Sequence, residues 1–153
     1  AVDGNIEVPH DDWPNIFKDT GVDAWRSRTR VDLGPVVLTG LPLYQSFAPD
    51  MRLDPEASFH IVFGHAPDFS LGQTQADLMV AGHTHGGQAQ LPFIGPLITF
   101  SQVPRSHASG HTVLESGAHL VVSRGIGMER GSAPRMRFLC RPELVIIDLV
   151  PAD

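Results

Sequence analysis

The residues best equipped for chemistry lie in one run, Gly82-His83-Thr84-His85-Gly86-Gly87-Gln88. Two imidazoles separated by one residue share a side if the backbone stays extended, because side chains alternate along a strand. The spacing therefore predicts that His83 and His85 point the same way. Imidazole nitrogens held close together suit Zn, Mn, Fe or Ni. Gly82, Gly86 and Gly87 remove bulk around the pair and permit tight turns. A further histidine, His65, follows a separate apolar run, Phe59-His60-Ile61-Val62-Phe63-Gly64. Two short strands that each stop at a histidine would gather ligands at one edge of a sheet.

The elements that must position these side chains are short. Thirteen Pro and fifteen Gly punctuate brief apolar runs, a pattern of many strands and few long helices. Residues 59–64 and 77–81 read as the strands leading into His65 and His83. Residues 31–38 read as one or two strands broken at Gly34-Pro35. Residues 111–115 and 118–123 flank Ser116-Gly117, a two-residue hairpin turn. Residues 136–139 and 143–150 read as closing strands. A short helix is expected over 11–19, with Asp12 as N-cap and Gly21 as terminator. Residues 43–57 read as a connector with one helical turn, and 88–104 as a Pro- and Gly-rich loop with apolar side chains.

A chain of 153 residues can bury a sizeable core in one domain. Lys plus Arg number 11 against 17 Asp plus Glu, a formal net charge of -6. That balance lacks the basic footprint of a nucleic-acid binder, so none is expected as a partner. It does not exclude a phosphorylated substrate, because bound metals supply local positive charge. The single cysteine, Cys140, has no partner for an internal disulfide and reads as a small buried apolar side chain. No stretch approaches the roughly 20 apolar residues of a membrane helix.

The run from Gly82 to Gln88 resembles the last signature of the calcineurin-like metallophosphoesterase superfamily, Gly-His-x-His. Its Gly-Gly-Gln extension and the following Leu91-Pro92-Phe93-Ile94-Gly95-Pro96 are similar to a bacterial branch of that family. Gly64-His65-Ala66-Pro67-Asp68 resembles the preceding His motif, and Val2-Asp3-Gly4-Asn5-Ile6-Glu7 the Gly-Asn-His-Asp/Glu motif. Val122-Ser123-Arg124-Gly125-Ile126-Gly127 and residues 138–149 resemble the branch's C-terminal end. The resemblance implies an α+β or α/β domain built as a two-sheet β-sandwich flanked by helices. Residues 1–153 would form the C-terminal half of that single domain.

The resemblance also implies a ligand set. Asn5, His65 and His83 would bind one divalent metal, through the Asn carbonyl oxygen and two imidazoles, and His85 would bind a second. The two ions (Mn, Fe, Zn or Ni) would share an oxygen bridge that attacks phosphorus in a phosphoester. The family's first two signatures, Asp-x-His and Gly-Asp-x-x-Asp, do not occur in the 153 residues. An upstream half, in cis or in trans, is therefore expected to bring the remaining ligands, and the chain alone is expected to be a poor enzyme. Whatever precedes Ala1 leaves the compartment open among cytoplasmic, membrane-associated and exported.

The His of the Gly-Asn-His motif is replaced by Ile6, which can neither stabilise a transition state nor protonate a leaving group. Glu7 keeps the acidic position beside it and, with Arg124, is a candidate catalytic residue. Asp68 reads as a loop or cap residue. An apolar wall made by the 91–104 loop would favour a lipid-like or aryl phosphoester. The competing reading is a non-catalytic scaffold or binding domain that keeps the family fold with an incomplete metal site.

Overall fold

The computed structural model describes residues 1–7, 10–128, 131 and 136–151. Its centre is a six-stranded mixed sheet in the order β1-β2-β3-β4-β8-β7. The strands are β1 (Thr29–Asp32), β2 (Val36–Gly40), β3 (Phe59–Phe63), β4 (Leu78–Ala81), β7 (Gly110–Val113) and β8 (His119–Val122). The four inner strands, β2, β3, β4 and β8, run parallel, and β1 and β7 close the two edges antiparallel. A two-stranded ribbon, β5 (Gln90–Leu91) and β6 (Gly95–Pro96), stands apart within the expected 88–104 loop. The only α-helix among the described residues is the single turn α1 (Leu43–Ser46). The fold is thus mixed α/β with few helices, and no described helix is long and apolar enough to cross a membrane.

The alternation of each strand divides the sheet into two unlike faces. Val37, Thr39, His60, Val62, Met79, Ala81, Leu120 and Val122 face the core and are buried. Leu41, Met51 and Phe69 pack against them from the connections that follow β2 and β3. The opposite face carries Val36, Leu38, Ile61, Phe63, Val80 and Val121, which are apolar but only half-buried.

Several sequence expectations meet a different outcome. Residues 143–150 do not form a strand: among the described residues their only backbone hydrogen bond outside regular elements is from Glu143 N to Gly125 O, at 3.0 Å. A strand needs a neighbour for its amides and carbonyls, and none lies beside this segment among the described residues. Residues 136–139 contribute only one bridge, between Phe138 and Ala89. The expected helix at 11–19 contracts to a 3-10 turn at Trp13–Phe17, and Asp12 makes no side-chain cap.

Candidate metal centre

The placement of His65 and His83 follows from parallel pairing. β3 and β4 are hydrogen-bonded neighbours running the same way, with Phe63 opposite Val80. Their carboxyl ends therefore finish at the same edge. Beyond them, the Gly64 amide donates to Val80 O and the Gly82 amide to His65 O, at 3.1 and 2.9 Å. Open parallel sheets gather ligands at this edge, where the chain leaves the strands. The result is a close pair: His65 Nε2 lies 3.0 Å from His83 Nδ1. The Phe47 ring packs edge-on against His83, centroids 4.7 Å apart, and 6.4 Å from the His65 ring.

Gly4 brings the first motif to the same place. A Cβ added there would lie 2.9 Å from His65 Nδ1 and 2.7 Å from Glu7 Oε2. Only a glycine lets this backbone approach the imidazole so closely. The Gly4 amide donates to the Glu7 carboxylate at 3.0 Å, which folds residues 4–7 into a turn against His65. Asn5 follows Gly4 in this turn and is exposed. Ile6 is also exposed, at 65%.

The His-Thr-His segment is not the extended backbone that the spacing predicts, yet His83 and His85 line one small cavity with Ile98 and Phe100. His83 and His85 both have positive φ, +65° and +48°, and Thr84 between them is helical. The chain turns at each histidine. Thr84 anchors the turn from within: its buried hydroxyl donates to Ala108 O at 2.6 Å and accepts from the Gly86 amide at 3.2 Å. His83 faces His65, with its Nε2 3.0 Å from Phe100 O. His85 turns toward Arg137, whose guanidinium lies 3.5 Å from His85 Nδ1 and also donates to Arg124 O and Gly125 O. Left-handed conformations of non-glycine residues cost energy and persist where surrounding contacts enforce them, often at functional sites.

Arg124 is engaged by Glu143 through a salt bridge of 2.9 Å and a backbone hydrogen bond of 3.1 Å. That hydrogen-bonded pairing raises the guanidinium's pKa and lowers that of the carboxylate. His65 is perturbed the other way. Burial, and then the charges of His83 and His85, push its imidazole down to about 4. A histidine kept neutral across ordinary pH has a lone pair available to a cation.

The pair fits part of a metal site. Two imidazole ligands at roughly 2.0–2.1 Å from one ion place their nitrogens about 3–3.4 Å apart, and the separation here is 3.0 Å. Asn5 lies on the adjoining turn. No group of three or more His, Cys, Asp or Glu side chains converges among the described residues. His85 Nδ1 lies 3.5 Å from the Arg137 guanidinium, an arrangement that does not by itself suit a cation.

Two participants were not legible in the motifs: Phe47 follows α1, and Arg137 lies 52 residues from His85 along the chain, and no local spacing marks either. Phe100, on the loop expected to wall the site, contributes its backbone carbonyl.

Two curated proteins are similar to this chain. YkuE of Bacillus subtilis (strain 168), named as an uncharacterized metallophosphoesterase, is 42% identical over 94 residues, which cover 60% of this chain and 31% of that protein. The phosphodiesterase YaeI of Escherichia coli (strain K12) is 34% identical over 92 residues, or 59% of this chain and 32% of that protein. The matched region thus spans about a third of either relative's length. No family model matches the chain, and no solved structure does. Over about 60% of its length the chain is thus similar to proteins named as a metallophosphoesterase and a phosphodiesterase.

Proposed function

We propose that this chain is the C-terminal half of a single metallophosphoesterase domain that hydrolyses phosphoesters with two divalent metal ions. The observation that carries the reading is the 3.0 Å approach of His65 Nε2 and His83 Nδ1 at the carboxyl edge of two adjacent parallel strands. Asn5, His65 and His83 hold one ion in this proposal, and His85 contributes to the other after its ring leaves Arg137. Two bound cations lower the pKa of water and neutralise phosphate oxygens. The chain's own residues orient and shield. Phe47 packs on the histidine pair, and Glu7 fixes the Gly4–Asn5 turn against His65.

The remaining ligands come from a preceding segment, in cis or in trans. That segment also completes a two-sheet, helix-flanked sandwich, for which the half-buried apolar sheet face is the support. The substrate is a lipid-like or aryl phosphoester. Residues 88–104 contain no charged side chain, and Phe93, Ile94 and Phe100 are exposed on the loop that reaches His83.

An aryl phosphodiester assay with added Mn tests the reading. The 153-residue chain should turn over poorly, whereas the chain with its upstream segment should be active and should lose both metal and rate on His83→Ala. A longer protein that binds no metal would overturn the proposal in favour of a non-catalytic scaffold. Robust turnover by the 153 residues alone, abolished by His83→Ala, would show that the upstream ligands are not needed.

A further inference from the structure

Asp68 is buried to 1% exposure, yet it has no place in the ligand set just described. It sits in the 3-10 turn Asp68–Leu71, three residues after His65. Its two carboxyl oxygens reach across to a distant loop. Asp68 Oδ2 accepts from the Ser101 hydroxyl at 2.5 Å, and Oδ1 accepts from the Gln102 amide at 2.8 Å. Ser101 Oγ in turn accepts from the Val103 amide at 3.3 Å. The clasp therefore fixes the backbone of 101–103, next to Phe100, whose carbonyl oxygen lies 3.0 Å from His83 Nε2.

A carbonyl oxygen can only accept, so His83 Nε2 must carry the hydrogen. In a neutral imidazole the lone pair then resides on Nδ1. That is the atom facing His65 Nε2. We infer that Asp68 is a positioning residue: by clasping Ser101 and Gln102 it sets the Phe100 carbonyl that locks His83 in the Nε2–H tautomer, with Nδ1 presented as a ligand. The inference rests on the proposed metal site but concerns the tautomer, which exists with or without a metal. Backbone carbonyls commonly orient ligating histidines through the ring nitrogen that the metal does not use, and loss of such partners typically costs about 10–100-fold in affinity.

The experiment is long-range ¹H–¹⁵N correlation of the histidine rings in ¹⁵N-labelled, metal-free protein, under conditions where the imidazoles are neutral. His83 should give the pattern of an Nε2–H tautomer. Asp68→Ala and Ser101→Ala should shift it toward a mixture, whereas Asp68→Asn should largely retain it, since an amide oxygen can still accept from the Gln102 amide. Ser101 lies in a loop, so its substitution keeps the test open should Asp68→Ala fail to fold. In the longer protein, Asp68→Ala should also weaken Co(II) binding by about 10-fold or more. An Nδ1–H tautomer in the unsubstituted protein would overturn the inference, as would a His83 pattern unchanged by Ser101→Ala and by any folded Asp68→Ala. If the tautomer responds as expected but the longer protein binds no Co(II), the metal reading fails and the clasp stands.

Discussion

At the His65–His83 contact, two imidazoles meet through ring nitrogens in a partly buried edge where a second positive charge is unwelcome. Burial is the larger cause of the lowered His65 pKa, and His83 and His85 add to it. The sign of the resulting pH dependence follows directly. An unfolded His65 takes up a proton near the ordinary value of 6.5, whereas the folded one does so only near about 4. Between these values the unfolded state binds more protons, so stability falls as pH is lowered through that window. Urea denaturation of metal-free protein across the window should show a declining midpoint, and His65→Gln should remove that part of the decline. An unchanged slope in the variant would mean that His65 is not held neutral by the fold.

The turn from Gly82 to Gln88 is the element that carries both histidines. It depends on Gly86, whose φ is +60° and whose Cβ position lies 2.7 Å from Arg124 Cγ and 2.9 Å from Cys140 Sγ. Both the backbone and the space demand glycine there. Gly86→Ala should therefore cost about 2–4 kcal/mol, the strain of a left-handed residue combined with overpacking. The midpoint of chemical denaturation measures this. A variant as stable as the parent would show that the turn relaxes without loss, and that His85 is not fixed by it. The strands around this turn were largely legible: β3, β4 and the β7–β8 hairpin fall on the expected apolar runs, although the hairpin loop is not the expected two-residue Ser116-Gly117 turn but encloses Glu115, Ser116 and Gly117 between Leu114 and Ala118. The ribbon β5–β6 was not, because two-residue strands carry too little periodicity to register.

For the molecule as a whole, the uncovered sheet face matters most. Phe59 is 40% exposed, and residues 143–150 run past this face leaving Leu144, Ile146 and Val150 about 80% exposed or more. Between segment and sheet lies a cavity of about 470 Å³ lined by Phe59, Leu78, Val121, Ile146 and Leu149 among others. Contiguous exposed apolar surface of this kind is uncommon on a free monomer and marks a contact surface. The 153 residues alone should bind a hydrophobic fluorescent dye, and the chain with its upstream segment should bind markedly less. Equal dye binding by the two would mean that the upstream segment does not cover this face.

The sequence by itself determined the apolar strands, the place of the hairpin and the candidate ligands, because alternation, turn chemistry and motif spacing are properties of neighbouring residues. It also led to residues 143–150 being read as a strand, since their apolar character is local, while the pairing that makes a strand is not. The tertiary structure alone decided where each ring points. Parallel pairing brought His65 to His83 across 18 positions, and the Phe100 carbonyl met the far nitrogen of His83 across 17. The backbone at His83 and His85 adopts left-handed angles that no isolated His-x-His would favour. Contacts from distant segments surround those angles: the Thr84 hydroxyl on Ala108, Arg137 and Cys140 beside His85, and Asp68 holding the loop that carries Phe100. Such contacts form only when the chain has closed on itself, which is why the spacing of the two histidines did not reveal their left-handed backbone.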